Sequence, residues 1–245
     1  MILTGDGPAA LAAAWQRATA MIDQQADELS PALLNELRRF LRLAERGLLH
    51  GEAFDFQAAV AEHERRVALI MDEGTQRTAQ VFALDVLGGL DQGSRIGSWL
   101  RTAGVGLIAA TFAREGAERF ARWTAHHLRR VMDLRGDRLE RELLRQSGVD
   151  APRRALNAAE DRAHLASQWA TTSAAEFSGE IDQRVWLSRL DGRERATHNH
   201  AHGQHCPVAG AFIVGGYRLR WPRDPNGPIH EIANCRCVSA LRRKK

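Results

Sequence analysis

The chain has 245 residues, of which 44% are apolar and 26% charged, an ordinary globular composition with room for one large domain or two modest ones. Three cysteines exclude a disulfide framework and make a reducing compartment the expectation. No basic-then-apolar leader opens the chain, and the most apolar run, Val105–Ala113, is about half of what crossing a bilayer needs, so a soluble protein without membrane contact is expected.

In chain order, the pattern is helical nearly throughout from about residue 7 to 178. Ser30-Pro31 reads as an N-cap and a first-turn proline, followed by Leu33, Leu34, Leu37, Phe40 and Leu41 at helical spacing. Gly51 and Phe54-Asp-Phe56 break that run. A second pattern, through Val60, Val67, Leu69, Ile70 and Met71, is expected to end at Gly74-Thr75. A third then reaches Leu87 before Gly88-Gly89. Residues 95–147 form the longest periodic stretch, with Phe120, Trp123, Leu128, Val131, Met132, Leu134 and Leu139 as an apolar packing stripe. Ser147-Gly148 predicts a stop, and Asp150-Ala-Pro152 a new start running to about Glu176.

After Gly179 the texture changes. Val185-Trp186-Leu187 predicts a strand, Ala211–Val214 and Tyr217–Trp221 a hairpin across Gly215-Gly216, and Cys237–Leu241 a further strand. The expected fold class is α+β: a mostly helical N-terminal region (1–150, the partner-binding part), then a small C-terminal α+β module of short antiparallel strands (151–245, with a lead-in helix), clamped by a metal. Trp186 and Trp221 are assigned to its core.

Chemistry-bearing residues concentrate in that module. Its last fifty-five residues hold all three cysteines, Cys206, Cys235 and Cys237, and five of the ten histidines, His198, His200, His202, His205 and His230. In Cys235-Arg236-Cys237 the i,i+2 spacing on an extended segment puts both sulfurs on one side, where they can share an ion. Tetrahedral zinc needs about two further soft ligands. His198 and His230 are the first candidates, with His205 and Cys206 as alternates, and structural zinc is the candidate cofactor. The competing reading packs the cysteines as small apolar residues. Asp191, Arg193 and Arg195 follow a strand and suit a turn locked by buried Arg–Asp hydrogen bonds, and Asp224-Pro225-Asn226-Gly227-Pro228 reads as a rigid turn. No nucleophile elbow, phosphate loop or dinucleotide fingerprint is present, so a non-enzymatic role is expected. Residues 191–245 carry ten Arg/Lys against four Asp/Glu, a local balance of +6, while the remainder balances at −2. The basic end, Arg242, Arg243, Lys244 and Lys245, is a candidate contact for nucleic acid or an acidic surface.

The ordered series resembles the phage Mu F-like family, also called phage head morphogenesis or minor head proteins. The residues that carry it are Trp186, Asp191, Arg193, Arg195, His198, Gly203-Gln204, Phe212, Trp221-Pro222-Arg223-Asp224-Pro225 and Asn234-Cys235-Arg236-Cys237. Glu194 stands where the family pattern usually has Thr, and residues 1–150 match no pattern. The resemblance implies a minor structural protein of the head of a tailed phage, prophage or phage-derived particle, made in the bacterial host cytoplasm. It implies action near the portal during capsid assembly and DNA packaging, with portal, capsid or scaffold proteins as partners in a multi-chain assembly, and DNA contact through the basic end. Asp191, Arg193, Arg195, Asp224, Asn234 and Arg236 are then its structural motif residues. Two alternatives stay open at this point: a phage-delivered effector, and a zinc-stabilised nucleic-acid-binding protein.

Overall fold

Helices run further along this chain than its punctuation suggests. In the computed structural model, which describes residues 1–3, 5, 7–50, 54–133 and 137–244, helix α1 spans Pro8–His50 and α2 Phe56–Gly88. After a 3-10 turn at Gly93–Arg95 come α3 (Ile96–Thr102), α4 (Val105–Asp133) and α5 (Asp137–Ser178). Three expected boundaries therefore fall inside helices. Ser30-Pro31 lies within α1, Gly74-Thr75 within α2, and Ser147-Gly148 with Asp150-Ala-Pro152 within α5.

The reason is burial. Ala26, Leu29, Leu33, Leu37, Phe40 and Ala44 recur at three- and four-residue steps straight through Pro31, and all are buried. An interior proline costs about 3 kcal/mol, whereas burying each large apolar side chain contributes about 1.5–3 kcal/mol. The same argument carries α5 through Gly148 and Pro152, where Leu144, Ser147, Ala151, Ala155 and Ala159 keep the buried face continuous. Gly74 is a packing residue and not a stop, because a Cβ there would lie 2.7 Å from Leu29 Cδ1. A break does occur where continuity was expected, at Ala103-Gly104, the latter with φ of 62°. Within the stripe expected on residues 120–139, Phe120 and Leu128 are buried; Val131, Met132, Leu134 and Leu139 lie outside the described side chains, as Gly51 lies outside the described residues.

The C-terminal part is the expected antiparallel module. Strands β1 (Ile181–Leu187), β2 (His205–Pro207) and β5 (Val238–Arg243) form a sheet of order β2-β1-β5, with Val185 opposite both His205 and Ala240. Ile2 bridges Leu241 on the other edge of β5. Strands β3 (Phe212–Val214) and β4 (Tyr217–Leu219) form the hairpin across Gly215-Gly216. Both glycines have positive φ, as a two-residue turn that follows the strand twist demands. Two short helices, α6 (Ala196–Ala201) and α7 (Ile229–Ile232), complete it.

The chain packs as two compact units. One comprises Met1–Gln24, Gln76–Val105 and Ala163–Lys245; the other comprises Gln25–Thr75 and Gly106–Arg162. Residues 150 and 151, the expected domain junction, both lie in α5. Among the described residues the second unit is built from helices, with a cluster of Phe40, Ala44, Ala59, Leu128 and Leu144. In it the His63 ring stacks on Phe40 at 4.4 Å and pairs with Glu36 Oε1 at 2.9 Å.

The first unit contains the sheet, the hairpin and the core Trp186, Ala201, Cys206, Phe212, Val214, Leu219, Cys235 and Cys237. Trp221 is buried too. α5 is tied to the sheet through Gln168 Oε1, which accepts from Ser239 N and Ser239 Oγ at 2.8 and 2.9 Å. Arg184 of β1 is fully buried. Its guanidinium donates to Thr172 Oγ1 at 3.2 Å, to Gly210 O at 2.6 Å and to Arg220 O, joining α5, β1 and two loops. Among the described residues, no single helix is long and apolar enough to cross a membrane.

Candidate metal centre

The centre is assembled from the two ends of the module. β1 delivers Trp186 and Leu187, and Ser188 follows directly after it. The chain then turns through Leu190 and Gly192, both with positive φ, and enters α6, which presents His198. From the other end, α7 closes at Ala233. Asn234, in the left-handed region at φ of 52°, redirects the chain into the extended Cys235-Arg236-Cys237 that leads into β5. Asparagine tolerates that conformation better than most side chains.

His198 Nδ1 lies 3.6 Å from Cys235 Sγ and 3.3 Å from Cys237 Sγ. The three ligand atoms lie within 4.8 Å of one another and all three residues are buried. The cluster can hold a metal ion, and its geometry meets the test that tetrahedral bonding sets: Zn–N near 2.0 Å and Zn–S near 2.3 Å place nitrogen and sulfur about 3.5 Å apart. The imidazole is also oriented as a ligand. Its Nε2 faces Glu231 Oε2 at 3.0 Å, which leaves Nδ1 for the sulfurs and makes Glu231 a carboxylate behind a ligating histidine. Thr197 Oγ1 donates to the same Glu231 oxygen at 2.9 Å. Ser188 Oγ is 3.4 Å from Cys237 Sγ and donates to His198 O at 2.6 Å. The Trp186 ring meets the His198 ring edge-on at 5.7 Å. Gly215 leaves room for Glu231, since a Cβ there would sit 2.1 Å from Glu231 Oε1.

Charge follows this arrangement. Burial pulls the Cys235 thiol up, but hydrogen bonds from Cys237 and His198 and the imidazolium charge bring it well below the usual thiol range. Cys237, hydrogen-bonded to that thiolate and buried beside it, is held up as the thiol. Burial lowers His198, and the Cys235 hydrogen bond and charge outweigh it, so the imidazole ends above its ordinary value. Metal binding would replace the protons shared within this cluster and release them.

The turn before α6 is a second cluster. Arg236 grips Asp191 with both guanidinium nitrogens at 3.0 and 3.1 Å, which holds the Asp191 carboxyl down at about 2. Arg189 and Arg193 reach Asp191 Oδ2 at 3.0 and 3.5 Å. Glu194 accepts from the backbone N–H groups of Asp191 and Gly192, and Arg195 donates to Ala233 O. The expected Arg–Asp lock is thus present, on the surface instead of buried, and Arg236 supplies its two-nitrogen grip. Trp15 of α1 donates to Arg236 O at 3.2 Å, and the Arg189 guanidinium lies 5.6 Å from the Trp15 ring. Asp224 acts within its own turn, accepting from Arg220 N at 2.8 Å and Asn226 N at 3.0 Å.

Of the candidate ligands, His198, Cys235 and Cys237 come together. His230 does not join them: it is exposed on the outer side of α7, with its ring against Tyr217 at 5.5 Å. His205 is exposed on β2. Cys206 is buried beside Arg184, its thiol pushed up by burial. The basic end is held to the fold, with Arg243 donating to Gly89 O and Lys244 Nζ to Gly179 O at 2.6 Å; Lys245 lies outside the described residues. Sequence reasoning passed over Glu231, Ser188 and Trp15. Only Glu231 carried a signal, as an acidic residue beside a histidine, and its partner is 33 residues away. No family model, curated protein or solved structure matches the chain.

Proposed function

We propose that this protein is a minor head structural protein of a tailed phage, prophage or phage-derived particle, acting near the portal during capsid assembly and DNA packaging. The supporting observation is that the separated pieces of the motif series act as one unit. Asp191 pairs with Arg236, His198 meets Cys235 and Cys237, and Arg195 holds Ala233, so the first and last segments of the series close on each other. A series that builds one cluster is a more specific signature than the same residues scattered through the module. In this reading the C-terminal module is a rigid knob clamped by zinc, favoured as the ion because its donor set of one imidazole and two thiolates suits that metal. The helices supply contacts to portal, scaffold or capsid proteins.

Quantitative mass spectrometry of purified particles from the source organism tests this. Recovery at a few to tens of copies per head is the expected result. Absence from both finished particles and their assembly precursors would refute the structural role.

A further inference from the structure

Behind the turn that precedes α6 lies a cavity of about 290 Å³, lined by His198, Cys235 and Cys237 together with Arg189, Arg193, Arg195 and Arg236, and by Glu194 and Asn234. Two features of it are not used by a purely structural clamp. The first is coordination. A closed structural zinc site has four protein ligands, whereas a site with three keeps a position open. Here three donors converge, and among the described residues no fourth His, Cys, Asp or Glu joins them. Glu231 is held on the far side of the imidazole, at Nε2. His202 Nδ1 is occupied by Ser188 N at 3.1 Å.

The second feature is charge. Four guanidiniums line the cavity, and the carboxylates at hand are Glu194 and Asp191, which leaves a balance of +2 before any metal is added. Glu194 spends both oxygens on backbone N–H groups. Asp191 is shared by Arg189, Arg193 and Arg236. Arg193 is 75% exposed at the rim. Guanidinium forks that outnumber their carboxylates, facing an open metal position, are a receptor for an oxyanion.

We propose that this cavity binds an external oxyanion, a carboxylate or phosphate oxygen, as the fourth ligand of a metal held by His198, Cys235 and Cys237, with Arg189 and Arg193 steadying its remaining oxygens. The inference rests on the metal reading of the cluster and is independent of whether the protein belongs to a phage head. It makes the clamp a recognition site: an acidic group offered by a partner would be captured by the metal and the arginines together.

The test is titration of the full chain loaded with Co(II), whose visible absorption reports ligand number and identity, with acetate and with inorganic phosphate at constant ionic strength. Either anion, or both, should shift the d–d bands saturably, and the pattern states which oxyanion the cavity accepts. Arg193→Gln and Arg189→Gln should each weaken anion binding by about tenfold, the size of one charge-assisted contact, with Co(II) affinity unchanged. Co(II) binding with no spectral response to either anion would overturn the anion site alone, as would a response that chloride reproduces and the arginine variants leave intact. A spectrum altered by His230→Ala or Cys206→Ser would mean that a protein ligand closes the site, and would also overturn it. Failure to bind Co(II) at all would overturn the metal reading with it, while the particle experiment would still stand.

Discussion

Glu231→Ala isolates the carboxylate that stands behind the candidate ligand. Glu231 is 5% exposed, and its Oε2 accepts from His198 Nε2 at 3.0 Å and from Thr197 Oγ1 at 2.9 Å. Truncation strands the buried imidazole N–H, at about 1–3 kcal/mol, and the half-buried Thr197 hydroxyl, at less, so the expected loss of stability is about 1–4 kcal/mol. Metal affinity should also fall by about 10–100-fold, because the imidazole loses the partner that fixes its orientation. Gly215→Ala gives an independent check. Its Cβ would collide with Glu231 Oε1 at 2.1 Å, on a backbone with φ of 58°. In the Glu231→Ala background the collision is gone and a 3.3 Å approach to Thr197 Cγ2 and the backbone penalty of about 1–2 kcal/mol remain, so the double variant should be less destabilised than the sum of the single ones. Urea unfolding followed by tryptophan fluorescence reads the stabilities, and competition with a chromophoric chelator reads the affinity. If Glu231→Ala unfolds within about 0.5 kcal/mol of the parent, the level of an ordinary surface change, and binds metal as tightly, the carboxylate orients nothing.

Three further outcomes are expected. Saturating zinc, at about a thousand times its dissociation constant, should stabilise the module by about 4 kcal/mol. Chelation should remove that gain, Cys235→Ser should abolish the difference, and identical melting curves in zinc and chelator would return the cysteines to plain packing. His164 is buried, and burial holds its imidazole well below the ordinary histidine value. The unfolded chain then takes up this proton first, so stability is full above pH 6.5 and falls as pH drops below it. Between pH 7 and 5.5 the parent should lose about 1 kcal/mol more than His164→Gln in parallel denaturant titrations; equal losses would contradict the assignment. Arg184→Ala should cost about 3–5 kcal/mol, since it removes the donors to Thr172, Gly210 and Arg220 and leaves a cavity. Arg184→Met should recover part of that in urea unfolding, and a Met variant no better than Ala would locate the effect in the charge.

Local signals in this sequence decided what short-range physics controls. The hairpin across Gly215-Gly216 was legible because two adjacent positive-φ positions leave few residue choices. The shared side of Cys235 and Cys237 followed from the period of an extended chain. The same kind of reasoning failed at Pro31, Gly74, Gly148 and Pro152. Pro31 and Pro152 read as helix starts and Gly148 as a stop, and the cost of each inside a helix is outweighed by an apolar face that remains buried on both sides of it; at Gly74 a close contact resembled a turn. Choosing among the histidines was beyond the sequence too. His198 and His230 are equally plausible by type and spacing, and α7 turns Glu231 inward toward His198 while His230 faces out. Composition and period thus determined the helical and antiparallel elements and the cysteine pair. Which imidazole meets that pair, what orients it, and that four arginines surround it were decided only by tertiary structure, because those contacts join residues 33 to 45 positions apart, beyond the range of any local pattern.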